Sequence, residues 1–234
     1  MRLSALALLA ALLPAPAPAD PPQPIPPNVH GGEKVTALLE RVAEAQANAK
    51  TIQADFEQDR ESHLLAAPSH SRGRFYFRAP DEVRWQYEAP REMTVVIKDG
   101  TALTYRPAEK RAERIEVGHV QRRVLRLLGA AEPLETLKRY FSLTFLDPGD
   151  DHNYVLTLDP LTHQLKKRFR EVRVEIDRTR FLPVAVSYTE ADGDRTAYTF
   201  SQIVLNQPLP ADLFNLALPP DVSVVEVKLH GGSD

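Results

Sequence analysis

Between residues 33 and 49, apolar side chains return every three or four positions. Val35, Leu38, Leu39, Val42, Ala45 and Ala49 share one stripe, with Glu40, Arg41, Glu44 and Gln46 between them. That is the period of an amphipathic helix. At Thr51 the period drops to two: Ile52, Ala54 and Phe56 alternate with Gln53, Asp55 and Glu57, as in a strand with one buried face. The same alternation recurs in short pieces. Phe75 and Phe77 flank Tyr76, and Val83, Trp85 and Tyr87 alternate with Arg84 and Gln86. Met93 to Lys98 and Leu103 to Tyr105 lie on either side of Asp99-Gly100, a hairpin signal because Gly tolerates the positive φ of tight turns. Glu113 to Val117 adds a strand. Tyr154–Leu158, Phe169–Ile176, Val184–Tyr188 and Ala197–Val204 continue the style, with a turn at 191–194.

Helical spacing returns twice. Val120, Val124, Leu127 and Leu128 form a stripe over 119–128, closed by Gly129 as a C-cap. Pro133 to Phe141 opens with Pro near the helix entry and groups Leu134, Leu137, Tyr140 and Phe141. The expected fold class is α+β, mainly β. One domain over 33–227 forms an antiparallel meander curved into an incomplete barrel, with helices on its concave side. Incomplete helical cover leaves a pocket and complete cover leaves a filled core; the pattern fits both.

The chain starts Met1-Arg2, runs apolar from Leu3 to Leu13 and reaches Ala17-Pro18-Ala19. A charged start, a short apolar core and small residues at a cleavage position make residues 1–19 a cleavable export signal. The run is shorter than the about 20 residues that span a bilayer, so a soluble exported chain is expected. Residues 20–32, opening DPPQPIPP, read as an extended flexible tether, and 228–234 as a disordered tail. Cysteine is absent from the 234 residues. That excludes disulfides, thiol catalysis, Cys-based zinc and Fe–S chemistry, and a Cys-borne lipid anchor at the signal junction. The formal charge of −3, or −4 once Arg2 leaves with the signal, argues against nucleic acid as a partner.

Catalytic chemistry finds no footing. His30, His63, His70, His119, His152, His163 and His230 form no HxxxH or HExxH pair. Asp147 to Asp151 reads as an acidic turn between a helix and a strand, since it lacks the alternating ligands and distal Glu of a calcium loop. No nucleophile elbow, phosphate loop or dinucleotide fingerprint occurs. The expectation is a protein that is not an enzyme and uses no metal or cofactor. Arg122, Arg123 and Arg126 project from one helix with no acidic neighbour inside it, a face for an acidic partner or a lipid headgroup. The aromatic set is the stronger lead. Phe75, Phe77, Val83, Trp85 and Tyr87 alternate on two adjacent strands and so share a face. Such a face suits acyl chains, because each buried CH₂ gains about 0.8 kcal/mol without directional bonding. Simple core filling is the other reading.

The block from Gly73 through Phe75, Phe77, Pro80, Val83 and Trp85 to Pro90 resembles the periplasmic outer-membrane lipoprotein carrier family (LolA). The similarity continues through Val95 to Gly100 and Leu103 to Pro107. Upstream it takes in Ile52 to Gln58; downstream it takes in Tyr154 to Leu158, the Asp192-Gly193 turn and Phe214 to Val222. The resemblance implies an unclosed half β-barrel with an α-helical lid and an apolar cavity. It implies a monomeric periplasmic shuttle that takes acylated lipoproteins from an inner-membrane ABC transporter complex to an outer-membrane acceptor lipoprotein, with no nucleotide. By position it implies a cavity lined by Phe56, Phe75, Phe77, Val83, Trp85, Tyr87, Val95, Ile97, Leu103 and Tyr105. It implies a lid carrying Val124, Leu127, Leu128, Leu137 and Phe141, with Arg114 at its boundary. One departure stands out. The family's Arg before the first proline, which holds the lid closed, is Ala79 here. Arg78 is one residue away, and on a strand that reverses the face. Lid gating is therefore expected to differ. The alternatives are a carrier of another lipid or acylated molecule, and a half-barrel sensor that binds a membrane protein's tail.

Overall fold

The amphipathic stripe forms helix α1 (Gly32–Asn48), whose Leu38, Leu39 and Val42 are fully buried. The computed structural model describes Ile25 and residues 31–64, 67–116, 138–149 and 152–227. After α1 the chain becomes a succession of strands: β1 (Thr51–Glu61), β2 (Ser69–Arg78), β3 (Glu82–Ala89), β4 (Met93–Lys98), β5 (Thr101–Arg106) and β6 (Arg111–Glu116). Then follow β7 (Phe141–Leu146), β8 (Tyr154–Pro160), the one-turn helix α2 (His163–Lys166), β9 (Phe169–Ile176), β10 (Pro183–Glu190), β11 (Arg195–Leu205) and β12 (Ser223–Val227).

These strands make one twelve-stranded sheet in the order β12-β6-β5-β4-β3-β2-β1-β11-β10-β9-β8-β7. It consists of two antiparallel meanders, β1 to β6 and β7 to β11, joined where β1 pairs with β11. β12 alone adds in parallel, on the edge of β6. Strands β12 and β7 lie at opposite ends of the order, so the sheet is open, as the mainly β half-barrel reading requires. No helix among the described residues is long and apolar enough to cross a membrane.

Four features differ from the pattern-based reading. Phe141, expected on a lid helix, opens β7; residues 138–140 form a turn, and Phe141, Leu143 and Phe145 alternate inward from there. The acidic turn at 147 therefore follows a strand, not a helix. Strand β12 lies in a stretch with no expected element. The stripes at 119–128 and 133–137, with Val124, Leu127, Leu128 and Leu137, lie outside the described residues. So do the export signal and Arg122, Arg123 and Arg126. Within the Pro-rich tract, Ile25 is half-buried and packs against the core, which a tether without packed side chains does not do.

Both faces of the first meander are covered. The inner face joins α1 and the second meander in one large core. On the outer face Phe214, 2% exposed, packs on Tyr76 and Val96 with Leu209, Leu213 and Leu216 around it. Residues 207–220 thus form a strap across β2 to β5. Arg78 stacks over the Phe214 ring at 4.5 Å, Arg84 donates to the Leu213 carbonyl at 2.8 Å, and Lys98 donates to Asn215 Oδ1 at 3.0 Å.

Candidate functional site

The concave wall is built by strand register. Ile52, Phe77, Val83, Ile97 and Ala102 stand opposite one another across β1 to β5 and form one row. Ala54, Phe75, Trp85 and Val95 form the next, and Phe56, Gly73, Tyr87 and Met93 the third. Gly73 is required by close approach. A Cβ there would stand 2.0 Å from the Gln86 carbonyl oxygen and 2.9 Å from the Tyr87 Cα. The missing side chain leaves room for neighbouring rings to lean over β2. Phe56 meets Trp85 and Tyr87 edge-on, each at 4.9 Å between centroids, and Trp85 meets Phe75 at 4.8 Å.

Of the residues expected to line the cavity, Phe56, Phe75, Phe77, Val83, Trp85, Tyr87, Val95 and Ile97 share this concave face. Six are buried; Tyr87 and Val95 are half-buried. Leu103 and Tyr105 are not among them. Asp99 (φ 49°) and Gly100 (φ 77°) make a two-residue turn that pairs Ile97 with Ala102 and Val96 with Leu103. Ala102 and Thr104 consequently face inward, while Leu103 and Tyr105 face outward with Val96 and Thr94. Leu103 there lines a small outer recess with Phe214 and Leu216. Phe141 belongs to the same core as the concave wall.

The second meander supplies wall residues that the sequence reading missed. Tyr198 lies 5.2 Å from Trp85 and Phe200 lies 5.7 Å from it, and Phe169 meets Tyr188 at 5.6 Å. Tyr198 and Phe200 alternate visibly within β11, but only the β1–β11 pairing reveals which face they share. The wall also carries hydroxyls. Tyr87 and Tyr198 both stand against Phe56, at 4.9 and 6.4 Å between centroids, and Tyr188 lies opposite Thr196 in the β10–β11 register. Burial pushes the Tyr198 phenol well above its ordinary pKa, and Tyr87 and Tyr188 shift the same way for the same reason.

The position before Pro80 is the exposed Ala79. Arg78 pairs with Glu82 and donates to the Ala211 carbonyl, so its guanidinium serves the outer strap. Arg114 faces outward too, 2.9 Å from Glu226 on β12. Asp147 ties the β7–β8 turn to Arg178 and to Lys34 of α1. At the hairpin tips, His63, Asp192 and Asp194 bring ligand atoms within 4.8 Å of one another. Asp194 Oδ1 already accepts from the His63 amide at 3.3 Å and approaches its ring Nδ1 at 2.8 Å. Asp192 Oδ1 accepts the Asp194 amide, and Arg60 stands 3.6 Å from Asp194. This set cross-links two hairpins.

The profile of the family described as outer membrane lipoprotein carrier protein LolA matches residues 47–217, from the end of α1 through the strap. An outer-membrane lipoprotein carrier protein from Chromohalobacter salexigens is 26% identical over 203 residues, covering 83% of this chain and 86% of the relative. One from Haemophilus ducreyi is 28% identical over 196 residues, covering 80% and 86%. The crystal structure of MucB shares the fold, with a TM-score of 0.51 at 17% identity over 80% of this chain and 64% of that one. With a match that takes in both the concave wall and the strap behind it, this chain belongs to the LolA outer-membrane lipoprotein carrier family.

Proposed function

We propose that the protein is a soluble periplasmic carrier that holds the acyl chains of lipoproteins against its concave wall and shuttles them from the inner to the outer membrane. The observation that supports this best is the continuous wall of Phe56, Phe75, Phe77, Val83, Trp85 and Ile97 on the concave side of a sheet that stays open. In the structure these side chains are at most 5% exposed. Loading therefore exchanges one set of apolar contacts for another. A chain gains about 0.8 kcal/mol per buried CH₂, and uncovering the wall offsets part of that gain. A carrier needs such a balance, because its cargo must leave again. The stripes through Val124, Leu127, Leu128 and Leu137 supply, in sequence, the apolar surface of a cover. An inner-membrane ABC transporter complex as donor and an outer-membrane lipoprotein as acceptor complete the route in this reading.

The test is direct. Mature protein is mixed with a triacylated lipopeptide and with the same peptide lacking acyl chains, and complexes are followed by size exclusion and native mass spectrometry. A one-to-one complex with the acylated peptide alone is expected. Failure to bind it removes the carrier reading.

A further inference from the structure

Along β1 the inward-facing positions change character in one direction. Ile52, Ala54 and Phe56 are buried and apolar; Gln58 and Arg60 follow on the same face. At the strand rise, about 27 Å separates Ile52 from Arg60. The neighbouring strands repeat the gradient. Gln58 stands opposite Tyr198, and Arg60 stands opposite Thr196, which in turn stands opposite Tyr188. Tyr87 reaches this group from β3, its ring and that of Tyr198 both against Phe56. The wall is thus apolar at the Ile52 end and carries hydroxyls and a half-exposed guanidinium at the Arg60 end.

Resting on the carrier reading, we infer that Tyr87, Tyr188 and Tyr198, with Arg60 behind them, form a polar subsite for the ester or amide carbonyl at the head of an acyl chain. The hydrocarbon lies towards Ile52 and the headgroup towards the tips of the β1–β2 and β10–β11 hairpins. Hydroxyls in an apolar wall are costly unless bonded, and a purely hydrocarbon ligand gives them nothing. Here Tyr87, Tyr188, Tyr198 and Thr196 gather four hydroxyls at one end of the wall. Each hydroxyl has one donor and two acceptor sites, so the cluster has donors to offer a ligand. A carbonyl oxygen accepts and does not donate, which is the complement such a cluster needs. Arg60 lies in register with Thr196 and Tyr188, and its pairing with Asp194 closes the polar end of the wall. The subsite fixes how far a chain slides along the wall, which apolar contact alone does not do.

The experiment measures displacement of a fluorescent fatty-acid probe by methyl laurate, N-methyl lauramide and tridecane, which are matched in length. Wild-type protein is expected to prefer both carbonyl compounds over the alkane by about tenfold, the worth of roughly one good hydrogen bond. The triple variant Tyr87→Phe, Tyr188→Phe, Tyr198→Phe keeps the rings and removes the three tyrosine hydroxyls together. In it the preference should fall below about threefold with alkane affinity retained. An unchanged preference in the variant, or none in the wild type, overturns the inference. Binding of the ester but not the amide, or the reverse, narrows the cargo class and supports it. A second measurement needs no variant: the infrared carbonyl stretch of ¹³C-labelled methyl laurate bound to wild-type protein should shift to lower frequency than in hexane. An unshifted band overturns the subsite while leaving the carrier reading standing. Failure of all three compounds to displace the probe, together with failure of the triacylated lipopeptide to bind, brings down the carrier reading and the subsite with it.

Discussion

The rings of Trp85 and Tyr198 lie 5.2 Å apart, centroid to centroid, although β2 and β1 separate their strands in the sheet. Three strand spacings along a flat sheet amount to about 14 Å. The contact therefore measures how sharply the sheet curls and how far the rings lean over the bare backbone at Gly73. It also makes Trp85, the sole tryptophan of the chain, a native reporter at the centre of the wall. Cargo that separates Trp85 from Tyr198 should change its emission, and a titration with triacylated lipopeptide should saturate at one equivalent. Trp85→Ala should cost about 3–5 kcal/mol in urea unfolding.

Gly73→Ala should be costly for a methyl group. The new Cβ would meet backbone at 2.0 Å, and no rotamer relieves that contact. Strands β2 and β3 must part at the point where Tyr87 is positioned. A loss of about 3 kcal/mol or more is expected by denaturant titration. Ala at Gly32, where nothing lies within 4 Å and φ is not positive, should cause neither clash nor backbone strain, so the difference would isolate the packing effect.

The strap should be separable from the wall. Phe214→Ala removes the ring that Tyr76, Val96 and Arg78 hold on the outer face. Hydrogen exchange should accelerate over 207–220 and at β12, while amides of β1 and β11 stay protected. Uniform acceleration across the sheet would show instead that strap and wall unfold as one unit.

Stability should fall at both ends of the pH scale. For Asp177, burial pushes the carboxyl up, but bonds from the Arg180 and Thr179 amides, the Thr179 hydroxyl and the Arg180 charge hold it below its ordinary value. Asp147 is likewise held low despite burial, chiefly by Arg178, the Gly149 amide and Lys34. Groups with a depressed folded pKa stabilise the fold above the unfolded value of about 4, and the contribution is lost as pH falls through the folded value. Tyr198 has the opposite sign: its raised pKa gives stability that is present below about pH 10 and lost as pH rises further. Melting curves from pH 2 to 11 should therefore show a plateau. Asp177→Asn should flatten its acid limb, and Tyr198→Phe its alkaline limb.

Much of the wall was legible in the sequence because its strands alternate cleanly. Phe75, Phe77, Val83 and Trp85 sit among polar neighbours on a face that only one side of a strand can present. β5 was misread for a physical reason: both of its faces are covered. Its larger residues, Leu103 and Tyr105, face the outer side where the strap lies, while the small Ala102 faces the core. Residue size suggested one face, whereas the two-residue Asp99-Gly100 turn dictates the other. β7 was misread because Leu137, Tyr140 and Phe141 also fit a helical stripe. The tyrosine subsite was out of reach for a different reason. Tyr87 meets Tyr198 only once the two meanders are joined, and no local pattern reports that.

The joint between β1 and β11 also sets the order in which the molecule can be made. Phe56 and Phe200 face one another across it, so the first strand waits for the last long one. Until residues 195–205 are available, β1 presents an unpaired edge with an apolar face behind it. Contacts this distant in sequence form slowly, because a long loop must close before they stabilise anything. Newly made chains therefore pass through an interval in which the future cargo wall is open and sticky. In that interval they depend on speed, dilution or a chaperone to avoid one another.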